Sequence, residues 1–383
     1  MSGPAVAATG SDVGAVFVDF YDYQNVGDDL LFVTLANRYP HIRFVFIEDQ
    51  TDGATFAGLP NVRRLRKIRY VDGMLQRLRI PLRVNTLRRR LLVKRSKVVV
   101  RLGGSLYMER EGWQKNAARD AGLLGSRLGT FFLNGNFGPW RSPEFLATYE
   151  RIFSGALDVT VRDTASLEQL RAVPQVRLAP DMLFSVPGPT PAEQRGGVVV
   201  SMIDLTGREG LSQYREAYES AIADLVEDLV TVRGERVTLV SFCPHEGDEV
   251  AIERVLAMVP DRLGESVSTH FYRGDMDAML GVLRKADTVL ATRFHAMVLG
   301  FAFGCRVACV EYSNKLSNAL ADLDELERGW KLAEFVGASR SERLERVTAL
   351  EPASPGPVAE RAAGHFAVLD TYLGTSHRIG DGS

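Results

Sequence analysis

An arginine and a histidine stand two residues apart where a predicted strand gives way to a predicted helix. Arg293 and His295 follow the short apolar run 288–291 and precede small and apolar residues at helical spacing. Backbone N–H groups and the helix dipole favour an anion at such a junction. Histidine also exchanges a proton near neutral pH. The pair therefore predicts an anion site with a proton donor beside it.

Arg162 and Asp163 occupy an equivalent position, directly after the apolar run 159–161. A guanidinium group binds a carboxylate or a phosphate through two parallel hydrogen bonds, which makes Arg162 a second candidate anion ligand. A surface arginine paired with Asp163 is the alternative interpretation. Lys315 follows the next predicted strand after His295, and we interpret it either as a phosphate contact or as the end of a loop.

Nearer the N-terminus, Asn25, Gly27 and Asp28 lie between a predicted strand and a predicted helix. Glycine allows turn geometries that other residues resist, and an aspartate can cap the helix that follows. Capping by Asp28 is one interpretation, and binding or orienting a hydroxyl group is the other. A further strand is followed by a loop whose glycines allow close approach of the backbone to a ligand, formed by Gly103, Gly104 and Ser105.

Ten short apolar runs alternate with helical patterns along the chain, which is typical of an α/β protein with doubly wound parallel sheets. In such sheets the loops that follow the strands collect at one edge, so the loops of the N-terminal half predict a deep cleft. The predicted strands are 15–20, 43–47, 97–102, 129–133, 159–161, 198–202, 237–242, 267–272, 288–291 and 306–310.

A chain of 383 residues is longer than one hydrophobic core usually supports, so two domains are expected. The stretch 187–197 is punctuated by proline and glycine and is the predicted linker. It separates an N-terminal domain, 12–186, from a C-terminal domain, 198–350. The remaining residues, 351–383, are predicted to form a C-terminal helix and tail, with the helix packing across a domain junction.

The composition, 45% hydrophobic and 25% charged, is that of an ordinary globular protein. Three cysteines without a CxxC pair indicate buried thiols in a reducing cytoplasm, with a metal or redox role as the alternative. The sequence contains no HExxH, P-loop or GxSxG motif, and its histidine spacing suggests no metal site. The N-terminal segment does not resemble a signal peptide, so we expect a cytoplasmic protein.

Positive charge is concentrated in the segment 63–97, which holds 14 lysines and arginines and a single acid, Asp72, in a chain of net charge −2. Leucines are interspersed among these charges. Such a segment is attracted to an anionic membrane surface or to a phosphorylated ligand, and a solvated basic face is the alternative. Its only aromatic residue is Tyr70, so nucleic acid is not an expected partner.

Seven short motifs occur in an order that resembles the polysaccharide pyruvyltransferase family. The similarity spans residues 15 to 320. The motifs are Asn25-x-Gly27-Asp28, Gly103-Gly104-Ser105, Gly138-Pro139, Val161-Arg162-Asp163 with Ser166, Pro180-Asp181, Arg293-x-His295 and Tyr312-x-x-Lys315.

The resemblance implies two Rossmann-like domains facing a cleft, as in the GT-B glycosyltransferases. It implies transfer of the pyruvyl group of phosphoenolpyruvate to two hydroxyls of a sugar in a surface glycan or its lipid-linked precursor. A cyclic ketal forms and phosphate is released, without a metal or a further cofactor. Arg162 and Arg293 would hold the donor on the C-terminal side, and the N-terminal domain would bind the saccharide acceptor.

His295 is then the expected acid that protonates the donor, and Asp28 or Asp163 would accept the hydroxyl proton. The family commonly has glycines where this chain has Asp19, Asp22 and Leu102, so the acceptor side is where the chain departs from the pattern. A nucleotide-sugar glycosyltransferase and a two-domain sugar-binding protein are the alternative functions. Because of the basic segment, we expect peripheral contact with the inner face of an anionic membrane.

Overall fold

The protein is described by a computed structural model that covers residues 14–48, 55–68, 77, 84–190, 195–354 and 356–374. The N-terminal segment 1–13, the end of the C-terminal tail and part of the predicted linker lie outside the described residues. The same holds for most of the middle of the basic segment, including Asp72 and Tyr70.

The N-terminal half forms one seven-stranded sheet in which all neighbouring strands run parallel. The strands are ordered β3-β2-β1-β4-β5-β6-β7, so the chain winds outward in both directions from β1 and β4. Their bounds are β1 (Val16–Asp19), β2 (Phe44–Glu48), β3 (Val62–Arg66), β4 (Val98–Leu102), β5 (Gly129–Gly135), β6 (Asp158–Val161) and β7 (Val176–Leu178).

Helices connect these strands and begin at capping side chains close to the carboxyl edge of the sheet. The side chain of Asn25 accepts hydrogen bonds from the N–H groups of Gly27 and Asp28, and Asp163 accepts one from Ser166 N–H. Such caps satisfy N–H groups that the first helical turn leaves unpaired. The helices are α1 (Val26–Arg38), α2 (Val84–Arg95), α3 (Trp113–Ala121), α4 (Pro143–Ser154) and α5 (Thr164–Gln169).

The C-terminal half repeats the winding in a parallel sheet ordered β10-β9-β8-β11-β12-β13. Counted from its own first strand this is the order 3-2-1-4-5-6 of the Rossmann fold, which the first sheet also contains. The strands are β8 (Val198–Ser201), β9 (Val237–Ser241), β10 (Val267–Phe271), β11 (Thr288–Ala291), β12 (Arg306–Glu311) and β13 (Gly329–Lys331). The two Rossmann-like sheets predicted from the sequence are confirmed.

The helices of this half cover both faces of its sheet, and the last two return to the first half. They are α6 (Arg215–Arg233), α7 (Asp248–Leu256), α8 (Met276–Lys285), α9 (Phe294–Ala302), α10 (Asn314–Asp322), α11 (Leu332–Gly337), α12 (Arg340–Thr348), α13 (Gly356–Ala362) and α14 (Ala367–Leu373).

The C-terminal segment joins the two halves, as expected. Ala353 N–H donates to the carbonyl of Cys305 in the second half, at 2.9 Å. Further along, Asp370 accepts a hydrogen bond of 2.6 Å from the hydroxyl of Tyr39 in the first half. The single helix predicted over 359–373 is in fact two helices, α13 and α14, separated by the 3₁₀ turn Ala363–Phe366.

The carboxyl edges of the two sheets face each other, and direct hydrogen bonds hold them there. Val26 N–H at the start of α1 donates to Phe242 O just after β9, at 3.0 Å. Thr164 N–H at the start of α5 donates to the Asp322 carboxylate at 2.7 Å. Because ligands bind at the switch points of such sheets, the space between them is where a site is expected.

Candidate active site

A cavity of about 650 Å³ lies between the two carboxyl edges. Its lining comes from both halves of the chain. The loops after β1, β4 and β6 contribute Asp28, Ser105 and Arg162, and those after β11 and β12 contribute His295 and Lys315. The structure thus brings together residues that are up to 287 positions apart in the sequence.

Arg162 projects from the end of β6 and is held from several sides. Its Nε donates to Asn136 Oδ1 at 2.6 Å, and its Nη1 donates to Asp181 Oδ2 at 2.7 Å. The guanidinium carbon lies 3.8 Å from the centre of the Phe294 ring, a cation–π contact across the domain boundary. The side chain is buried, so its charge is fixed in position rather than mobile.

His295 meets Arg162 from the opposite sheet. Its Nε2 lies 3.3 Å from Arg162 Nη1 and 3.8 Å from the Asp181 carboxylate. An arginine can only donate a hydrogen bond, so Nε2 is the accepting nitrogen of a neutral ring. The arginine, the histidine and Asp181 therefore form one buried charged group at the bottom of the cavity.

Two glycines of the sequence motifs make room for this group. A Cβ atom on Gly27 would lie 1.6 Å from Nδ1 of His295, and one on Gly104 would lie 2.5 Å from Arg162 Nη2. Neither distance is possible between non-bonded atoms, so any side chain at these positions would displace the group behind it. Gly27, expected to allow a turn, and Gly104, expected to allow close approach to a ligand, both allow close approach of a cavity side chain from another element.

Asp28 faces the cavity from the first turn of α1. Its carboxylate forms no hydrogen bond or ion pair with any other residue that the structure describes. Burial raises the pKa of Asp28 to about 7, and the nearby carboxylates Glu246 and Asp181 also raise it, while Arg162 and Lys315 lower it. At neutral pH the carboxyl group is thus divided between its protonated and ionised forms, which suits a group that exchanges protons.

Lys315 faces the same cavity from the first turn of α10. Burial lowers the pKa of Lys315 to about 7, and Arg162, Arg110 and Arg208 lower it further, against the opposing effect of Glu246. The amine carries no ion pair within the described parts of the chain. An anionic ligand beside the amine would raise its pKa again, so the charge of Lys315 depends on what the cavity binds.

Burial lowers the pKa of His295 to about 4, and Arg162, Lys315 and Arg293 lower it as well, while Asp181 raises it. The sequence led us to expect a ring that is partly protonated at neutral pH. The ring is neutral instead, because burial and three neighbouring basic side chains disfavour a further positive charge.

The structure does not leave Arg293 free for a ligand, contrary to our expectation. Its Nε donates to Asp248 Oδ2 at 3.1 Å, its Nη2 also bonds Asp248, and its Nη1 donates to Glu246 at 2.6 Å. The same Asp248 oxygen accepts the N–H groups of Phe242 and Cys243. Arg293 reaches the cavity wall, but its charge is already compensated by two carboxylates.

Asp163 does not fit the proton acceptor that the sequence suggested. It is buried, it caps α5, and its second oxygen accepts hydrogen bonds from Asn136 and Ser166. Capping of α1 by Asp28 was also wrong, because Asn25 is the cap. Asn25 and Ser105 line the cavity, whereas Gly103 turns the chain beneath it with a φ of 142°, a value that favours glycine.

Several cavity residues were not assigned a role from the sequence. Asp181 belongs to a motif but gave no sign that it would bind Arg162. Arg110 and Arg208 add two more cations to the wall, and Glu246 and Tyr21 also line it. An arginine or a tyrosine in a loop has many possible partners, and only the meeting of the two sheets shows which ones face the cavity.

No group of three or more histidine, cysteine, aspartate or glutamate side chains in the described residues could hold a metal ion. Among the same residues, no helix is long and apolar enough to cross a membrane.

Asp19, where the family pattern has glycine, lies outside the cavity and binds three arginines. Arg101 Nη1 donates to it at 3.2 Å and Arg119 Nε at 3.1 Å, and Arg89 of the basic segment forms a third ion pair. Burial alone would raise the pKa of Asp19, but the three guanidinium groups hold it well below its usual range. The departure from the family pattern thus anchors part of the basic segment.

Comparison with solved structures agrees with the fold. S. aureus MnaA, solved with UDP, superposes with a TM-score of 0.60 at 9% identity, covering 94% of this chain and 97% of the other. Anabaena HepE, solved in complex with UDP and glucose, gives a TM-score of 0.53 at 13% identity over 94% and 97% of the two chains. Likeness at this level of identity establishes the architecture alone.

Sequence comparison is more specific. No curated protein matches the chain. The family model described as polysaccharide pyruvyl transferase matches residues 25–314, which include Asp28, Arg162 and His295. The matched region starts at the cap of α1, ends at the first residue of α10 and encloses both switch points. The chain therefore belongs to the polysaccharide pyruvyl transferase family.

Proposed function

We propose that the protein transfers the pyruvyl group of phosphoenolpyruvate to two hydroxyls of one sugar, in a cell-surface glycan or its precursor. Family membership supports polysaccharide pyruvylation in general terms. The observation that carries the donor assignment is the cluster of Arg162, His295 and Lys315 in one buried cavity. Phosphoenolpyruvate brings a phosphate and a carboxylate into this cluster, and both suit arginine and lysine partners.

The donor needs positive charge on both of its anionic groups before a hydroxyl can approach C2. Arg162 is oriented for this by Asn136 and Asp181, and Lys315 and Arg208 lie in the same wall. Because Arg293 is bound by two carboxylates, we assign it to holding the start of α9, where His295 sits. Charges held in position in this way need little reorganisation when the donor binds.

The reaction needs one proton donor and one proton acceptor. The negative charge of the bound donor raises the pKa of His295 from the low value set by burial, so the ring gains a proton in the complex. Its proton goes to C3, which makes C2 electrophilic. One sugar hydroxyl attacks C2 and gives its proton to Asp28. The phosphate then leaves with the proton that Asp28 holds, and the second hydroxyl attacks C2 and gives its proton to His295, which closes the ketal and restores both side chains.

The cavity is large enough for a donor together with a sugar, since sites for much larger ligands start at about 300 Å³. Tyr21 lies beside Asp28 in the wall and offers a flat apolar face with a hydroxyl group. We therefore place the acceptor between Tyr21 and Asp28, on the side of the N-terminal sheet.

Thermal-shift binding tests the donor assignment and separates it from the glycosyltransferase alternative. We expect phosphoenolpyruvate to raise the melting temperature of the protein and UDP- and GDP-sugars to leave it unchanged. Arg162→Lys keeps the charge but loses the bidentate geometry, and it should weaken donor binding about tenfold or more. Stabilisation by a nucleotide sugar without any effect of phosphoenolpyruvate would contradict the proposal.

A further inference from the structure

Helix α2 presents a face of mixed charge and leucine to solvent. With 3.6 residues per turn, five of its exposed residues fall within an arc of about 140°. In order around the helix they are Arg90, Lys94, Leu87, Leu91 and Arg95, and all five are exposed. Leu91 is 52% and Leu87 41% exposed, which is unusual for two neighbouring leucines on a helix that also packs against a core.

The opposite side of the same helix is fixed to the protein. Val93 is buried in a small core with Phe17 and Val99, and Arg89 is paired with the buried Asp19. The helix therefore cannot rotate to bury its leucines, and the exposed arc is a defined surface.

A third exposed aliphatic side chain adjoins this surface. Ile68, just beyond β3, is 37% exposed, and its backbone N–H donates to the side chain of Asn85 in the first turn of α2 at 3.1 Å. Arg88 Nη1 also donates to the carbonyl of Arg66, at 2.8 Å. These contacts hold Ile68 next to α2. We call Ile68, Leu87, Arg90, Leu91, Lys94 and Arg95 the basic face.

The charge and shape of the basic face indicate its partner. Cations on both sides of exposed aliphatic side chains are the arrangement by which a helix lies in the interface of an anionic bilayer, with leucines entering the acyl boundary and cations meeting phosphates. The arc contains no acidic residue, so nothing on it would repel an anionic surface. A protein surface that binds single-stranded nucleic acid would need aromatic side chains on which the bases stack, and the arc has none.

We propose that the basic face docks the protein on an anionic lipid bilayer. In a parallel sheet each helix begins where the preceding strand ends, so the first turn of α2 lies at the carboxyl edge that also opens into the cavity. Docking through this face would hold the N-terminal sheet at the membrane with its carboxyl edge close to the lipid surface. The inference does not depend on the identity of the donor or of the reaction.

Vesicle flotation of the full chain tests the proposal. We expect the protein to float with vesicles of phosphatidylcholine and phosphatidylglycerol, and not with phosphatidylcholine alone. Binding should disappear in about 1 M salt, where the Debye length falls to about 3 Å. Reversing charge with Arg90→Glu and Lys94→Glu should lower the affinity about tenfold or more, because each cation near such a surface contributes.

A matched pair of variants tests whether vesicle binding depends on these two leucines or on exposed apolar side chains in general. Leu87→Ser with Leu91→Ser should weaken vesicle binding severalfold. Val232→Ser with Val250→Ser changes two comparably exposed aliphatic residues in the C-terminal half, at 64% and 49% exposure, and should leave binding unchanged. None of these residues lines the cavity, so thermal stabilisation by phosphoenolpyruvate should be the same in all variants.

Three results would overturn the proposal. One is a wild-type protein that stays at the bottom of the gradient with anionic vesicles. Another is unchanged flotation of the charge-reversed variant. The third is a basic face that binds heparin or a second copy of the chain but no vesicles. Because donor binding is measured separately, failure of membrane docking can be told apart from failure of the pyruvyl-transfer assignment.

Discussion

At the scale of single residues, the cavity depends on glycines as much as on charges. Gly27 and Gly104 have no side chains, yet they decide where His295 and Arg162 lie, because a Cβ atom at either position would overlap them. The sequence motifs Asn-x-Gly-Asp and Gly-Gly-Ser thus have a steric explanation. Each of these two glycines is matched to a functional side chain from another element.

Gly27→Ala tests this explanation. The added methyl group should displace the His295 ring and lower phosphate release at least about 100-fold, as His295→Ala should do, since general acid catalysis is typically worth that much. Gly281→Ala in α8 is the control, because nothing lies within 4 Å of a Cβ atom there. It should leave the rate unchanged. Steady-state phosphate release measures all three, and a rate within about tenfold of wild type for either site variant would contradict the role of His295.

The titration of Lys315 gives a second prediction. Its pKa of about 7 leaves the amine mostly neutral at pH 8, and an anionic donor raises that pKa, so the donor must bind together with a proton. The affinity for phosphoenolpyruvate should therefore fall as the pH rises above about 7, where the ligand phosphate no longer titrates. Calorimetry at pH 8 in two buffers of different ionisation enthalpy should show proton uptake.

Lys315→Arg is the control for that measurement. Arginine keeps its charge throughout this pH range, so the variant should lose the proton uptake that comes from the lysine amine, and only the proton that His295 gains in the complex should remain. Proton release on binding to the wild-type protein, or equal uptake by the variant, would show that Lys315 does not meet the donor.

The sequence identified several of the residues that line the cavity, but not how their charges are used. Arg162, His295, Asp28 and Lys315 stand out because each follows a predicted strand. The residues that pair with the cavity arginines do not stand out in this way. Asp181 binds Arg162, and two carboxylates that lie more than forty residues earlier in the chain bind Arg293. A pKa that is set by burial and by such partners cannot be predicted from the spacing of residues in the sequence.

At the scale of elements, all ten predicted strands are present, and three further strands were missed. β7 and β13 have only three residues each, too few for a pattern. β3 has the sequence VRRLR, whose arginines are typical of a solvated loop. It is the edge strand of its sheet, where charged side chains discourage pairing with another chain.

The ion pairs of Asp19 join β1, α2, α3 and β4, and their loss should destabilise the N-terminal half. Asp19→Asn leaves Arg89 without its buried partner and Arg101 with Asp120 alone, which typically costs about 3 kcal/mol of unfolding free energy. The control is Asp287→Asn, whose pair with Arg306 is half exposed and should cost about 1 kcal/mol or less. Urea denaturation at pH 7 measures both.

The effect should also depend on pH. A carboxylate whose pKa is depressed by folding contributes stability above its unfolded pKa of 3.8, and that contribution is lost as the pH falls below it. The difference between wild type and Asp19→Asn should therefore shrink below about pH 4. Equal loss of stability in both variants at pH 7 would contradict a structural role for the Asp19 cluster.

At the scale of the whole molecule, the two Rossmann-like sheets face each other through their switch points, the carboxyl ends of the central strands where the strand order reverses direction. This arrangement could be predicted from alternating strands and helices together with the family motifs. The motifs also pointed to one cleft, although they could not show its contents. The C-terminal segment closes the arrangement, since α14 returns to the first sheet through Asp370 and Tyr39.

The central claim is that this cavity moves a pyruvyl group from phosphoenolpyruvate to a sugar. The most direct test incubates the protein with phosphoenolpyruvate and a panel of saccharide and lipid-linked saccharide acceptors, and follows the acceptors by mass spectrometry. We predict that an acceptor gains the mass of pyruvate less one water with equimolar release of phosphate, and that His295→Ala gives neither. Transfer of a glycosyl unit from a nucleotide sugar to the same acceptors, without any use of phosphoenolpyruvate, would contradict the account.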